Sequence, residues 1–259
     1  MKVVILCGGL GTRLREETEF RPKPMVRIGP RPILWHIMKL YAYYGFDEFI
    51  LCLGYKGEVI KEYFYHYELF NTDFTVTLGD HTSVALHGSH NERGWRVTLV
   101  DTGEKALKGA RIKRVEHLID GEHFLLTYGD VVANVDVARL VEYHAAHGKI
   151  GTVTGVRPPS LFGELQVRDG RAELFTEKPQ TSQGLINGGF FVFRRGIFEY
   201  LSADDACDFE YGPLEKLARD GQLMVHEHPG EWACVDTARD LDHLNRLWSL
   251  GQAFWKVWS

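Results

Sequence analysis

The sequence predicts an α/β fold in which a mainly parallel sheet is flanked by helices. Short apolar runs alternate with amphipathic stretches through the first half of the chain, and glycine or Gly-Asp turns close several of those runs. The composition is that of a folded globular protein: 259 residues, 44% hydrophobic and 25% charged. One mixed domain over residues 1–259 fits better than two, because no linker, repeat or low-complexity tract divides the chain.

The elements follow in order. Lys2–Cys7 reads as the first strand and breaks at Gly8-Gly9. Ile33–Tyr44 reads as a helix, entered through Pro30 and Pro32 and ended by Gly45. Glu48–Leu53 is the next strand, and Glu58–Phe70 carries apolar residues at helical spacing. Phe74–Gly79 and Trp95–Asp101 read as strands on either side of a polar stretch, Asp80–Gly94, with three histidines. That stretch suits a surface excursion, a lid or a partner contact. A helix over Glu104–Val115, the strand His123–Tyr128 and a helix over Val137–His147 complete the first half.

The second half changes character. Gly151–Arg157, Gly163–Arg168, Ala172–Phe175 and Gly189–Phe193 are short strands parted by Gly, Pro and Asp turns, which suits antiparallel pairs. Helices near Tyr211–Arg219 and Asp240–Leu250 flank a strand at Leu223–His228. Trp248, Phe254, Trp255 and Trp258 crowd the C-terminal end. They suit either packing onto the same subunit or an oligomer interface.

Charge and cysteines narrow the function. Thirty Lys and Arg against 35 Asp and Glu give a formal charge of −5, which argues against a nucleic-acid groove but allows a single nucleotide. Cys7, Cys52, Cys207 and Cys234 show no metal-site spacing, so reduced thiols and a cytoplasmic location are expected. The apolar start is too short for a signal peptide, and no run approaches the ~20 residues of a membrane span.

The chemistry concentrates in the first 25 residues. Gly8-Gly9-Leu10-Gly11-Thr12-Arg13-Leu14 follows the first strand, and Lys23 lies ten residues beyond Arg13 within Arg21-Pro22-Lys23-Pro24-Met25. A glycine-rich turn lets backbone N–H groups approach a polyphosphate, while Arg13 and Lys23 supply positive charge for phosphoryl oxygens. The turn lacks the Gly-Lys-Ser/Thr of an ATPase loop and the third glycine of a dinucleotide fingerprint. Taken alone it also fits a structural turn.

Asp130, after Gly129 at the end of a strand, lies where open α/β sheets bind ligands, and Asp236 follows the run Trp232–Val235. Two such carboxylates suit one Mg²⁺, with substrate phosphates completing its shell. A turn or helix cap is the competing reading for each. Asp136, just before Val137, reads as a plain N-cap. Lys178, within Glu177-Lys178-Pro179, suits the phosphate of an acceptor, with Glu177 on its hydroxyls; an exposed turn fits as well. Asn187-Gly188-Gly189 offers an amide and close backbone approach to the same pocket, and Gly163-Glu164 a further polar wall.

On these motifs the chain resembles the sugar-1-phosphate nucleotidylyltransferases over nearly its full length, and among them the glucose-1-phosphate cytidylyltransferases. The family pattern of Gly-Gly, Gly-Thr-Arg-Leu and Pro-Lys-Pro-Met stands at Gly8–Leu14 and Pro22–Met25. The resemblance implies a Rossmann-like nucleotidyltransferase domain with a small antiparallel substrate-binding region. It implies catalysis by Arg13 and Lys23, and nucleotide contacts from Leu6, Gly8, Gly9, Gly11, Thr12 and Asp130. It further implies Mg²⁺ on Asp130 and Asp236, and sugar-phosphate contacts from Gly163, Glu177, Lys178, Asn187 and Gly188. Residues 1–135 would then bind the nucleotide, 136–240 the sugar phosphate, and 241–259 would pack or form an oligomer contact. The substrates implied are CTP and α-D-glucose 1-phosphate, with a homo-oligomer as the working form and neither nucleic acid nor membrane as partner. The segment Val100–Arg111 departs from the shorter base-recognition segment of members using thymidine or uridine nucleotides. There Gly103 would let backbone groups meet the base, and Arg111 would donate to the cytosine carbonyl. The same fold using dTTP or UTP, a cytidylyltransferase for another small phosphate, a glycosyltransferase and a catalytically silent nucleotide-sugar sensor are the alternatives.

Overall fold

The structure, a computed structural model, describes residues 1–79, 83–158, 164–168, 171–176 and 184–259. In chain order its main elements are β1 (Val3–Leu6), α1 (Arg15–Thr18), β2 (Arg27–Ile28), β3 (Arg31–Pro32), α2 (Ile33–Tyr43), β4 (Glu48–Leu53), α3 (Gly57–Tyr65), α4 (Tyr67–Asn71), β5 (Asp73–Thr77), β6 (Ser83–His87) and β7 (Arg96–Asp101). There follow α5 (Lys108–Arg114), β8 (His123–Tyr128), β9 (Val131–Ala133), α6 (Val137–His147), β10 (Gly151–Val156), β11 (Glu164–Arg168), β12 (Arg171–Thr176), β13 (Ile186–Arg194), α7 (Glu215–Arg219), β14 (Leu223–His228), β15 (Trp232–Cys234) and α8 (Ala238–Ser249).

Seven strands make the central sheet in the order β14-β10-β13-β8-β1-β4-β7. β1 lies parallel to both β4 and β8, with Val3 beside Phe49 and Leu125. Its four residues are all buried, as a strand covered on both faces requires. β13 runs antiparallel to β8 and β10, so the sheet is mixed but mostly parallel. Alternation divides the core into two layers. Val3, Ile5, Leu51 and Leu125 pack with Leu34, Met38 and Tyr41 of α2, while Val4, Leu6, Cys52 and Leu126 pack with Ile112 of α5 and Phe198.

The C-terminal aromatics turn back onto α2. The Trp255 indole N–H donates to His36 Nδ1 at 3.3 Å, and Trp258 meets Trp35 edge-on at 5.8 Å. His36 is 1% exposed, so burial pushes its imidazole down to about 4.

Several elements differ from the sequence reading. The helix expected over Glu58–Phe70 is divided at His66 into α3 and α4. The Glu104–Val115 helix starts only at Lys108, because Leu107 is extended and donates its N–H to Asp205 O at 2.9 Å. The polar stretch before Trp95 contains a strand, β6, paired antiparallel with β5. Of the helix expected at Tyr211–Arg219 only α7 is regular. Gly212, at φ 112°, and Tyr211 break the turn before it.

Candidate active site

The site lies at the C-terminal ends of β1 and β8. Leu6 pairs with Tyr128 at the top of these strands, and beyond them the chain leaves through Gly8 and Gly129. Gly129 donates its N–H to Leu6 O at 3.1 Å, and a Cβ there would run into that oxygen and Pro24. Glycine therefore lets the two strand ends and the Lys23 segment meet. Gly11, at φ 63°, turns the chain so that its carbonyl accepts from the Thr18 hydroxyl at 3.0 Å.

A second pairing brings the distant aspartate in. β9 follows Asp130 directly, and β15 runs antiparallel to it with Cys234 opposite Val131. The Val235 N–H then donates to Asp130 O at 3.0 Å, which places Asp236 beside Asp130. Asp236 is not the helix cap: Thr237 caps α8 in a capping box with Asp240. Asp136 caps α6 and accepts from the Arg139 N–H at 3.0 Å.

Lys23 stands between the two carboxylates, its Nζ 2.6 Å from Asp130 Oδ2 and 2.6 Å from Asp236 Oδ1. Arg13, 75% exposed, reaches Asp236 Oδ2 at 2.8 Å. Burial alone would lower the Lys23 ammonium, but the Asp130 charge and both hydrogen bonds outweigh it and raise the group above its ordinary value. Burial likewise opposes ionisation of Asp236. Lys23, the Cys234 thiol and Arg13 together hold that carboxyl below its usual range. The site thus carries its charges pre-paired.

Asp130, Cys234 and Asp236 present ligand atoms within 4.8 Å of one another. The carboxylate oxygens already converge on one ammonium cation, and hard oxygen donors suit a divalent ion, so the residues fit a metal site. Cys234 is the donor that sequence spacing missed. Its place two residues before Asp236, at the end of β15, was the signal for it. Burial pushes its thiol well up, and the Asp130 charge adds to this.

Arg13, Lys23, Asp130 and Asp236 line a cleft of about 360 Å³ that also takes in Leu6, Gly8, Gly9, Gly11 and Thr12, together with Leu107, Lys108 and Tyr128. Arg111 borders the cleft but is 4% exposed. Its terminal nitrogens donate to Leu53 O at 2.8 Å, Thr102 Oγ1 at 2.9 Å, Gly8 O at 3.0 Å and Glu104 O at 3.2 Å. A guanidinium carries two N–H on each terminal nitrogen, so those four are committed to the protein and brace the glycine turn. A Cβ on Gly8 would meet this guanidinium. Gly103, at φ 89°, donates its N–H to Asp101 Oδ1 at 2.9 Å and is not among the residues lining the cleft.

Beside Tyr128, Asn187 Nδ2 donates to the Tyr128 hydroxyl at 2.9 Å, and that hydroxyl donates to Glu210 Oε1 at 2.6 Å. Lys108 pairs with Glu210 and lies 4.8 Å above the Tyr128 ring. Gly188 O accepts from the Trp232 indole at 2.7 Å. Tyr128, Lys108 and Glu210 were missed from sequence. Tyr128 could have been found as the last residue of the strand before Gly129-Asp130, whereas nothing in the spacing marks Glu210. Gly163, Glu177 and Lys178 lie outside the described residues.

The profile of the family described as nucleotidyl transferase matches residues 2–247. The glucose-1-phosphate cytidylyltransferase of Salmonella typhimurium is 49% identical over 259 residues, covering 100% of both chains. A probable glucose-1-phosphate cytidylyltransferase of Bacillus subtilis is 48% identical over 258 residues with the same coverage. Among solved structures, HddC from Yersinia pseudotuberculosis superposes with a TM-score of 0.69 at 24% identity, over 95% of this chain and 99% of that one, and so shares the fold. Sheet topology, cleft and full-length similarity agree: the chain belongs to the nucleotidyl transferase family.

Proposed function

We propose that the chain transfers CMP from CTP to α-D-glucose 1-phosphate, giving CDP-glucose and pyrophosphate. The observation that carries the chemistry is the Lys23 ammonium held between Asp130 and Asp236 at the mouth of the glycine turn, with Arg13 beside it. The choice of CTP and glucose 1-phosphate rests on the full-length identity to chains named glucose-1-phosphate cytidylyltransferase.

A phosphate oxygen of the sugar attacks the α-phosphorus of CTP. A new P–O bond forms, the bond to the oxygen bridging α and β phosphorus breaks, and pyrophosphate leaves with that electron pair. The sugar phosphate is already ionised at neutral pH, so the barrier is anion repulsion and positioning rather than proton removal. The backbone of Gly8–Thr12 receives the polyphosphate. Lys23 and Arg13 meet the charge that grows on the departing pyrophosphate. Asp130 and Asp236 would hold Mg²⁺, which when bound would supply positive charge against the phosphate oxygens. Lys178 with Glu177 is assigned to the acceptor, together with Asn187 and Gly188.

Arg111 is assigned as a positioning residue. With its terminal N–H groups on Leu53, Gly8, Glu104 and Thr102, it sets the shape of the wall that meets the base. The working form is a homo-oligomer, and the reaction suits the cytoplasm. Among the described residues no helix is long and apolar enough to cross a membrane.

The test is pyrophosphate release with Mg²⁺ and α-D-glucose 1-phosphate, run in parallel with CTP, dTTP, UTP, ATP and GTP, with products weighed by mass spectrometry. CTP preference with CDP-glucose formed is the expected result. Preference for another nucleotide overturns the base assignment, and ligand binding without release from any pair overturns the enzymatic one.

A further inference from the structure

Beside the charged centre, a line of hydrogen bonds runs from β13 through the end of β8 to the segment before α7, and its direction is set at one end. Gly189, at φ 80°, donates its backbone N–H to Asn187 Oδ1 at 2.9 Å. A backbone N–H can only donate, so the amide oxygen of Asn187 faces it and the amide nitrogen faces away. That nitrogen donates to the Tyr128 hydroxyl at 2.9 Å. The phenol oxygen is thereby an acceptor, and its own proton goes to Glu210 Oε1 at 2.6 Å. Lys108 ends the line by pairing with the same carboxylate oxygen.

Each link is held from a second side. The Tyr128 ring meets Phe191 edge-on at 5.6 Å and lies 4.8 Å beneath the Lys108 ammonium. A Cβ on Gly189 would run into that ring, so glycine allows the close approach. Glu210 donates its backbone N–H to Asp208 Oδ1 at 2.9 Å, which fixes the point from which its carboxylate reaches. Burial pushes the Tyr128 phenol up and the Glu210 charge adds to this, so the hydroxyl keeps its proton at neutral pH. The Asn187 amide is planar. With its oxygen on Gly189 and one N–H on Tyr128, its second N–H has a fixed direction and meets no acceptor among the described residues. The side chain is exposed, next to Tyr128, which lines the cleft together with Lys108.

We propose that Tyr128 and Glu210 are positioning residues for the acceptor sugar: acting through Asn187, they hold its second N–H ready to donate to a hydroxyl oxygen of the hexose. This rests on the assignment of Asn187 to the acceptor made above, and adds the two residues that orient its amide. A donor ordered before the sugar arrives costs less to engage than one ordered on arrival. Asn187 meets the sugar and not the reacting phosphorus, so its contact is the same before and during transfer. Uniform binding of that kind shows in KM for the sugar phosphate and leaves kcat nearly alone.

The experiment has two arms on the full chain. Without ligand, the side-chain amide resonances of Asn187, identified by their loss in Asn187→Ala, should move in Tyr128→Phe and in Glu210→Ala. They should return toward their original place in Glu210→Gln, whose amide oxygen still accepts the phenol proton. In turnover with CTP and Mg²⁺, Tyr128→Phe should raise KM for α-D-glucose 1-phosphate by about fivefold, while KM for CTP and the circular dichroism hold. Glu210→Ala should act alike, and Glu210→Gln should recover most of the loss. The double substitution Tyr128→Phe with Glu210→Ala should be no worse than Tyr128→Phe alone, because both act through one amide. Asn187 resonances unmoved by Tyr128→Phe, a joint rise in both KM values, or effects that multiply in the double variant would each overturn the positioning role with transfer intact. An unmodified chain that releases no pyrophosphate overturns the reaction itself, and the sugar role of the line falls with it.

Discussion

The two walls of the cleft are built differently. On one side, charged side chains converge on one another directly: Lys23 on Asp130 and Asp236 at 2.6 Å, Arg13 on Asp236 at 2.8 Å. On the opposite side the charge of Arg111 is spent inward on carbonyls and a hydroxyl, and what it presents to the cleft is backbone held in shape. The first wall acts through charge and the second through form. Removing a residue from the first should therefore cost rate, and removing Arg111 should cost stability.

Lys23→Met gives the largest expected effect. It deletes the cation proposed to meet developing charge and leaves two carboxylates facing each other. kcat/KM should fall by at least about a hundredfold, with the fold retained by circular dichroism. Arg13→Ala should lower kcat/KM by a comparable factor and leave the urea midpoint in place, because its side chain is 75% exposed. Arg111→Ala should invert that pattern, lowering stability by on the order of 3 kcal/mol as buried carbonyls lose their donors. Arg111→Lys should rescue little, since an ammonium cannot reproduce the fork. A midpoint unchanged in Arg111→Ala would erase the distinction between the walls.

A smaller effect concerns pH. His36 has its folded pKa depressed to about 4 from 6.5, so the unfolded chain takes up a proton first. Its contribution is complete above about 6.5 and is lost as pH falls toward 4. His144, also brought down to about 4 by burial, acts in the same direction. Urea midpoints at pH 7 and 4.5 should diverge, and His36→Gln should narrow the gap. The smallest effect belongs to Asp136→Asn. Asparagine caps a helix about as well, so stability should move by less than about 0.5 kcal/mol and turnover not at all.

The contrast also explains what was legible in the sequence. Charge chemistry demands particular residue types, so Arg13, Lys23, Asp130 and Asp236 stood out before any fold was known. The strands β4, β8 and β14 and the helix α6 matched residue for residue, because clean periodicity and Gly or Asp boundaries fixed them. Arg111 drew notice for its charge, but only the fold reveals that its partners are the carbonyls of residues 8, 53 and 104. Glu210, 82 residues from Tyr128, was illegible because nothing local announces that meeting. β6 was hidden by its polar neighbours.

The Arg13–Asp236 pair spans 223 residues and the Lys23–Asp236 pair 213. The charged wall therefore joins the glycine turn after β1 to the segment after β15. A nascent or truncated chain ending before β15 carries Arg13 and Lys23 but lacks Asp236 and Cys234. Such a chain keeps the Lys23–Asp130 pair but loses the carboxylate that joins Lys23 to Arg13, so the centre is assembled by the fold rather than by any one stretch of chain.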